Sequence, residues 1–207
     1  MSEPISIAEA LIDVRKAHRL IHTFNRRFIE MMQTVSGALP GFEFEQMEPY
    51  YEGYDKKWKL DSEDTVFWNA TPYIYTSLAW SKRANAETVS VGELLFGLVL
   101  VVDSEWVDNE EEIDPSTYTV SASDSKTEIT IYLLSIEHEM ARADMLKVWK
   151  DFDTDHCMTL TKGKKGKAIG VSKAVDMATI ESQDDLIHLV NQFVSAAKTM
   201  ILSAKTL

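Results

Sequence analysis

The sequence predicts an α+β fold: a mostly antiparallel sheet packed by long N-terminal and C-terminal amphipathic helices. Three observations carry this. Apolar residues recur at helical spacing over 6–38, and again in the last stretch of the chain after Ser182. Between those two regions lie short runs rich in β-branched and aromatic residues, separated by turn-forming residues.

The first helix is expected over 6–38. Ser6 and Glu9 have the spacing of a capping box, in which each side chain satisfies a free backbone donor of the other, and Pro40-Gly41 stops the helix. Ile7, Val14, Ile21, Phe28 and Val35 recur every seven residues, with Ala10, Ala17, Phe24, Met31 and Ala38 at the intermediate positions. Leu11, Leu20 and Ile29 widen the stripe beyond a two-stranded coiled-coil seam, so the seam is expected to lie across the sheet of its own domain, with self-association through this helix as the alternative.

The stretch 41–64 is acidic, aromatic and without a clean period, and no element is assigned to it. A strand broken or edged at Pro72 is expected within 66–80, and a central strand within 91–102, where Gly92, Gly97 and the valines favour strand over helix. Two β-forming arms, 117–122 and 127–136, flank Ser123-Asp124-Ser125-Lys126 and read as a hairpin. A short helix is expected in 138–149, and a second hairpin from 158–161 and 168–180 around a lysine-rich tip. In the final helix Ser182 caps, Asp184 and Asp185 favour the positive helix end, and Leu186, Leu189, Val190, Phe193, Val194, Ala197, Met200 and Ile201 form one face.

Hydrophobic residues make up 45% of the chain and charged residues 26%, which is ordinary for a globular protein and excludes a wholly disordered one. No Pro- or Ser-rich linker divides the chain, so one domain spanning 1–207 is expected. The N-terminus lacks a signal-peptide pattern and no apolar run reaches the ~18 residues of a membrane span, which points to the cytoplasm and to no membrane contact. A lone Cys157 excludes a disulfide framework within one chain, and no cofactor or metal is expected.

The formal net charge of −12 disfavours non-specific attraction to nucleic acid or anionic lipid. Charge is unevenly distributed, however. Asp103, Glu105, Asp108, Glu110, Glu111, Glu112 and Asp114 follow one another without an intervening base, whereas Lys162, Lys164, Lys165 and Lys167 crowd a later segment.

Among local patterns, Asp151-Phe152-Asp153-Thr154-Asp155-His156 resembles the start of a calcium-binding loop, but His156 stands where the loop needs glycine and Lys162 where it needs a bidentate Glu. Adjacent Asp155, His156 and Cys157 could be recruited as metal ligands or an acid-base pair, although neighbours on a strand point to opposite faces. Arg15, Arg19, His22 and Arg26 form a positive stripe on one helix face, and with Lys164 and Lys165 they are the phosphate-binding candidates, set against a solvated or internally paired stripe. The glycines around those lysines do not have the spacing of a known phosphate loop. No nucleophile elbow occurs, and neither His138 nor His188 accompanies a diagnostic Ser or Cys pattern.

These observations favour a non-enzymatic acidic binding module, an inhibitor or regulator of a nucleic-acid-handling protein. Its contact residues would be Asp103, Glu105, Asp108, Glu110, Glu111 and Glu112 with the aromatic residues Tyr50, Tyr51, Tyr54 and Trp58, set against a partner with a basic surface. One alternative is a divalent-metal-dependent phosphodiesterase or nuclease, holding its metal through Asp103 and Glu105 or the Asp151 cluster and touching nucleic acid through the basic groups. Another is a structural subunit of a larger assembly, joined through the seam of the first helix.

Overall fold

The structure, a computed structural model, describes residues 7–49, 75–82, 87–102, 123, 125–145, 148, 152 and 158–205. It contains the two expected helices, α1 (Ile7–Gly37) and α2 (Gln183–Lys205). Ser6 of the expected capping box lies outside the described residues. The Ser182 cap is present: its hydroxyl accepts from the Asp185 backbone N–H at 3.2 Å and donates to the Asp185 carboxylate at 2.7 Å.

The strands are β1 (Glu43–Pro49), β2 (Tyr75–Ser81), β3 (Thr88–Val89), β4 (Leu94–Val101), β5 (Glu128–Ile136), β6 (Met140–Ala141), β7 (Thr161–Lys162) and β8 (Ala168–Asp176). Six of them form an antiparallel sheet in the order β1-β2-β4-β5-β8-β7, and β3 pairs with β6 as a separate small sheet. The expected central strand is β4, flanked by β2 and β5. The second expected hairpin is β7–β8, with Thr161 opposite Gly170. The first is different: β5 pairs with β4 along one edge and with β8 along the other, so its partners are distant in sequence. Its expected companion arm, 117–122, lies outside the described residues. In place of a helix over 138–149 the chain makes β6 and a 3-10 turn (Arg142–Asp144) before becoming helical at Met145 and Val148.

Alternation along the strands builds two cores, because successive side chains point to opposite faces. On one face Leu78, Trp80, Phe96, Leu98, Leu100, Ile129, Ile131, Leu133 and Val171 pack against Phe28, Met32, Val35 and Leu39 of the α1 region and against Leu186, Val190, Phe193, Ala197 and Ile201 of α2. Trp80 anchors this side. It is fully buried, meets Phe44 and Phe96 edge-on at centroid distances of 5.4 and 5.5 Å, and donates its indole N–H to Ser36 Oγ at 2.8 Å. On the other face Leu95, Val99, Tyr132, Leu134 and Ile136 are covered by Val89, Met140, Met145, Val148 and Phe152, all from the connections after β2 and β5. Burial on both faces explains why β4 and β5 read as nearly continuous apolar runs.

Gly170 is required at the β5–β8 contact. A Cβ there would stand 2.2 Å from Leu134 Cδ2 and 2.8 Å from the Leu133 carbonyl oxygen.

Candidate functional site

The register places five strand ends side by side. Pro49 of β1 lies opposite Thr76, Tyr75 of β2 opposite Val101, Val101 of β4 opposite Glu128, and Glu128 of β5 opposite Asp176. The chain therefore leaves at Pro49 and returns at Tyr75, and leaves after β4 and returns into β5, all at the same end of the sheet. Near this end the Thr127 hydroxyl donates to the Val102 carbonyl at 2.8 Å, and the Met177 N–H to the Thr127 carbonyl at 2.9 Å. The aromatic candidates Tyr50, Tyr51, Tyr54 and Trp58 and the acidic candidates Asp103, Glu105, Asp108, Glu110, Glu111 and Glu112 lie outside the described residues, yet both stretches are tethered to this one end. Thr76, on the helix-facing side of β2, is fully buried there, and its hydroxyl oxygen has no hydrogen-bond partner among the described residues. Asn25 Oδ1 on α1 is in the same condition. Such atoms cost stability, so their presence departs from what packing alone would select.

Of the basic candidates, Arg15, Arg19 and Arg26 are exposed on α1, Arg26 pairing with Glu30 at 3.2 Å along the helix. Lys164 and Lys165 are exposed on the turn between β7 and β8, where Gly166 adopts a φ of +68° and donates its N–H to the Gly163 carbonyl at 2.7 Å. The two positive groups thus belong to separate elements.

An enclosed polar cluster among the described residues left only a faint signal in the sequence. A bulge in β1 shifts the register between Phe44 and Gln46, leaving Glu45 without an opposite residue on β2 and turning it toward Arg142. The Arg142 guanidinium pairs with Glu45, donates to Ser81 Oγ at 2.8 Å and reaches both the Thr88 carbonyl and Glu93 at 3.3 Å. Ser81 donates in turn to Glu45, and the second oxygen of Glu93 accepts the Ser90 N–H at 3.1 Å. Side-chain exposures of 12% for Arg142, 7% for Glu45 and 6% for Glu93 close the cluster to a substrate. Its chemistry is that of a clamp tying β1, β2, β3, the start of β4 and the 3-10 turn together. That sequence signal was a single arginine in a segment read as helix, with Glu45 in a stretch assigned no element and Glu93 inside the expected central strand.

A shallow cleft between the helices is lined by Thr34, Gly37, Ala38, Pro40, Gln183, Ile187 and Asn191, none of which titrates. Among the described residues no three His, Cys, Asp or Glu side chains gather to hold a metal ion, and no helix is long and apolar enough to cross a membrane. The metal candidates Asp103, Glu105, Asp151, Asp153 and Asp155, with His156 and Cys157, lie outside the described residues.

No solved structure matches this chain. A protein of Pasteurella multocida (strain Pm70), the uncharacterized protein PM0109, is 25% identical to it over 154 residues, covering 70% of this chain and 68% of the relative. The model of the PM0109 family matches residues 5–201, nearly the whole of both helices and the sheet between them, and the chain is therefore a member of the PM0109 family.

Proposed function

We propose that this protein is a non-enzymatic binding module that presents acidic and aromatic surface to a protein partner with a basic surface, such as one that otherwise holds nucleic acid. The observation supporting this reading is the convergence of strand ends: the aromatic stretch 50–74 and the acidic stretch 103–122 are both attached at one end of the sheet. Aromatic side chains supply the contact area that dominates binding energy, and carboxylates around them steer a basic partner and reject an acidic one. The remaining polar chemistry described above, the Arg142 cluster, is enclosed and already satisfied. Regulation by occupancy of a partner's basic surface follows from this charge pattern.

Native mass spectrometry of the protein gently purified from its host tests the reading. A stoichiometric protein partner is expected, and the Glu110→Lys, Glu111→Lys, Glu112→Lys triple variant should lose it by roughly tenfold or more in affinity, since like charges then face each other. Retention of a divalent metal together with phosphodiesterase activity would overturn the reading in favour of the metal-dependent enzyme.

A further inference from the structure

We propose that Lys82 and Lys198, brought together over the Phe42 ring, form a binding site for a phosphate group. The site is separate from the acidic and aromatic stretches invoked above, and from the basic groups on α1 and on the β7–β8 turn.

Three parts of the chain assemble the pair. Phe42 follows α1 and leads into β1, Lys82 directly follows β2, and Lys198 sits in α2. Glu43 lies opposite Ser81, so Phe42 and Lys82 follow as neighbours just beyond the β1–β2 pairing. Phe42 belongs to the helix-facing core and is 8% exposed. The ammonium groups of Lys82 and Lys198 lie 5.8 and 5.6 Å from the centroid of its ring. The ring attracts both, yet the two cations repel each other. Burial, and after it the charge of Lys82, makes the Lys198 ammonium harder to keep than an exposed one.

A neighbouring carboxylate would relieve that strain, and the chain has 33 acids against 21 Lys and Arg. None among the described residues is used for it. Glu45 is turned to Arg142, and Glu43, exposed beside Phe42, forms no ion pair with either lysine. Each ammonium brings three N–H donors, and together they concentrate two positive charges at one point. A phosphate group matches this best, because it carries up to two negative charges and three strong acceptor oxygens, enough to bridge both lysines at once.

Space for the rest of a phosphate-bearing molecule lies along the same stretches of chain. Pro40, two residues before Phe42, and Asn191, two helical turns before Lys198 on the same face of α2, both line the shallow cleft between the helices. A small phosphate monoester therefore suits the site's chemistry as well as inorganic phosphate does.

NMR titration of the full chain with inorganic phosphate, in a buffer free of other multivalent anions, tests the site. Saturable shifts are expected at Phe42, Lys82 and Lys198, with a dissociation constant on the order of 1 mM. Phosphate should also move the Lys198 pKa upward, because a neighbouring anion favours the ammonium form. Lys82→Gln and Lys198→Gln should each weaken binding about fivefold or more, since each removes one of the two charges, whereas Lys198→Arg should retain it. The Lys164→Gln, Lys165→Gln variant, on a separate element, should bind as the unaltered protein does. Neither Lys82 nor Lys198 is in the core, so the variants should keep their circular dichroism. Glycerol 3-phosphate titrated in parallel identifies the source: tighter binding than inorganic phosphate assigns the site to an ester whose body enters the cleft, and equal or weaker binding assigns it to free phosphate. The absence of saturable shifts at these residues overturns the proposal. So does binding that survives in the Lys82→Gln, Lys198→Gln double variant, or the same shifts from sodium chloride at matched ionic strength.

Discussion

Arg142 ties Glu45, Ser81, Thr88 and Glu93 to the 3-10 turn. It holds two enclosed carboxylates, and removing one partner of a buried ion pair leaves the others desolvated and uncompensated. Arg142→Met is therefore expected to cost about 3–5 kcal/mol in urea unfolding, and adding Glu45→Gln and Glu93→Gln should return part of that loss. A second residue, Lys198, contributes a pH dependence on the alkaline side. The ammonium groups of Lys82 and Lys198 both lie over the Phe42 ring, at 5.8 and 5.6 Å from its centroid. Burial, and after it the charge of Lys82, lowers the Lys198 pKa from its ordinary 10.5. The folded protein thus binds this proton less tightly than the unfolded chain does. The charged form opposes folding fully below the lowered pKa, and the penalty fades as pH rises toward 10.5. Lys82→Met should move the Lys198 pKa back upward, as read by NMR titration, and flatten the rise of stability in that alkaline window.

At the scale of elements, the two halves of α1 make opposite predictions for the same kind of truncation. Phe28→Ala empties a filled site against the sheet and should cost about 3–5 kcal/mol. Leu11→Ala, in the exposed half, should leave the unfolding free energy of the monomer within about 0.5 kcal/mol of the unaltered protein when measured at high dilution. Equal losses at both positions would show that the exposed half is packed after all. Periodicity located this helix but could not divide it, since the repeat continues unchanged from Ile7 to Val35 while its surroundings change near Phe24. The final helix was legible to its cap because Ser182, Asp184 and Asp185 act locally. The β7–β8 hairpin was legible for the same reason, its turn residues lying between its own arms.

For the molecule as a whole, what escaped the sequence was non-local. β5 reads as half of a hairpin because Ser123 to Lys126 look like a turn, whereas its partners are β4 and β8. Glu45 and Arg142 are far apart in the chain, and they meet only because a bulge and a 3-10 turn aim them at each other. The candidate surface was legible as composition, in its run of acids and its aromatic residues, but nothing in the sequence announced that both stretches hang from neighbouring strands. The two ends of the sheet also differ in what they contribute. At the end marked by Ser81 and Ile136, the connections fold back and become the cover of the second core, through Val89, Met140, Met145 and Val148. At the other, the chain departs from β1 and returns into β2, and departs from β4 and returns into β5. Insertions and deletions are cheap where loops are lengthened and costly where packing is disturbed. Within the framework the contact between β5 and β8 leaves no such latitude, because any side chain at Gly170 would collide with Leu134.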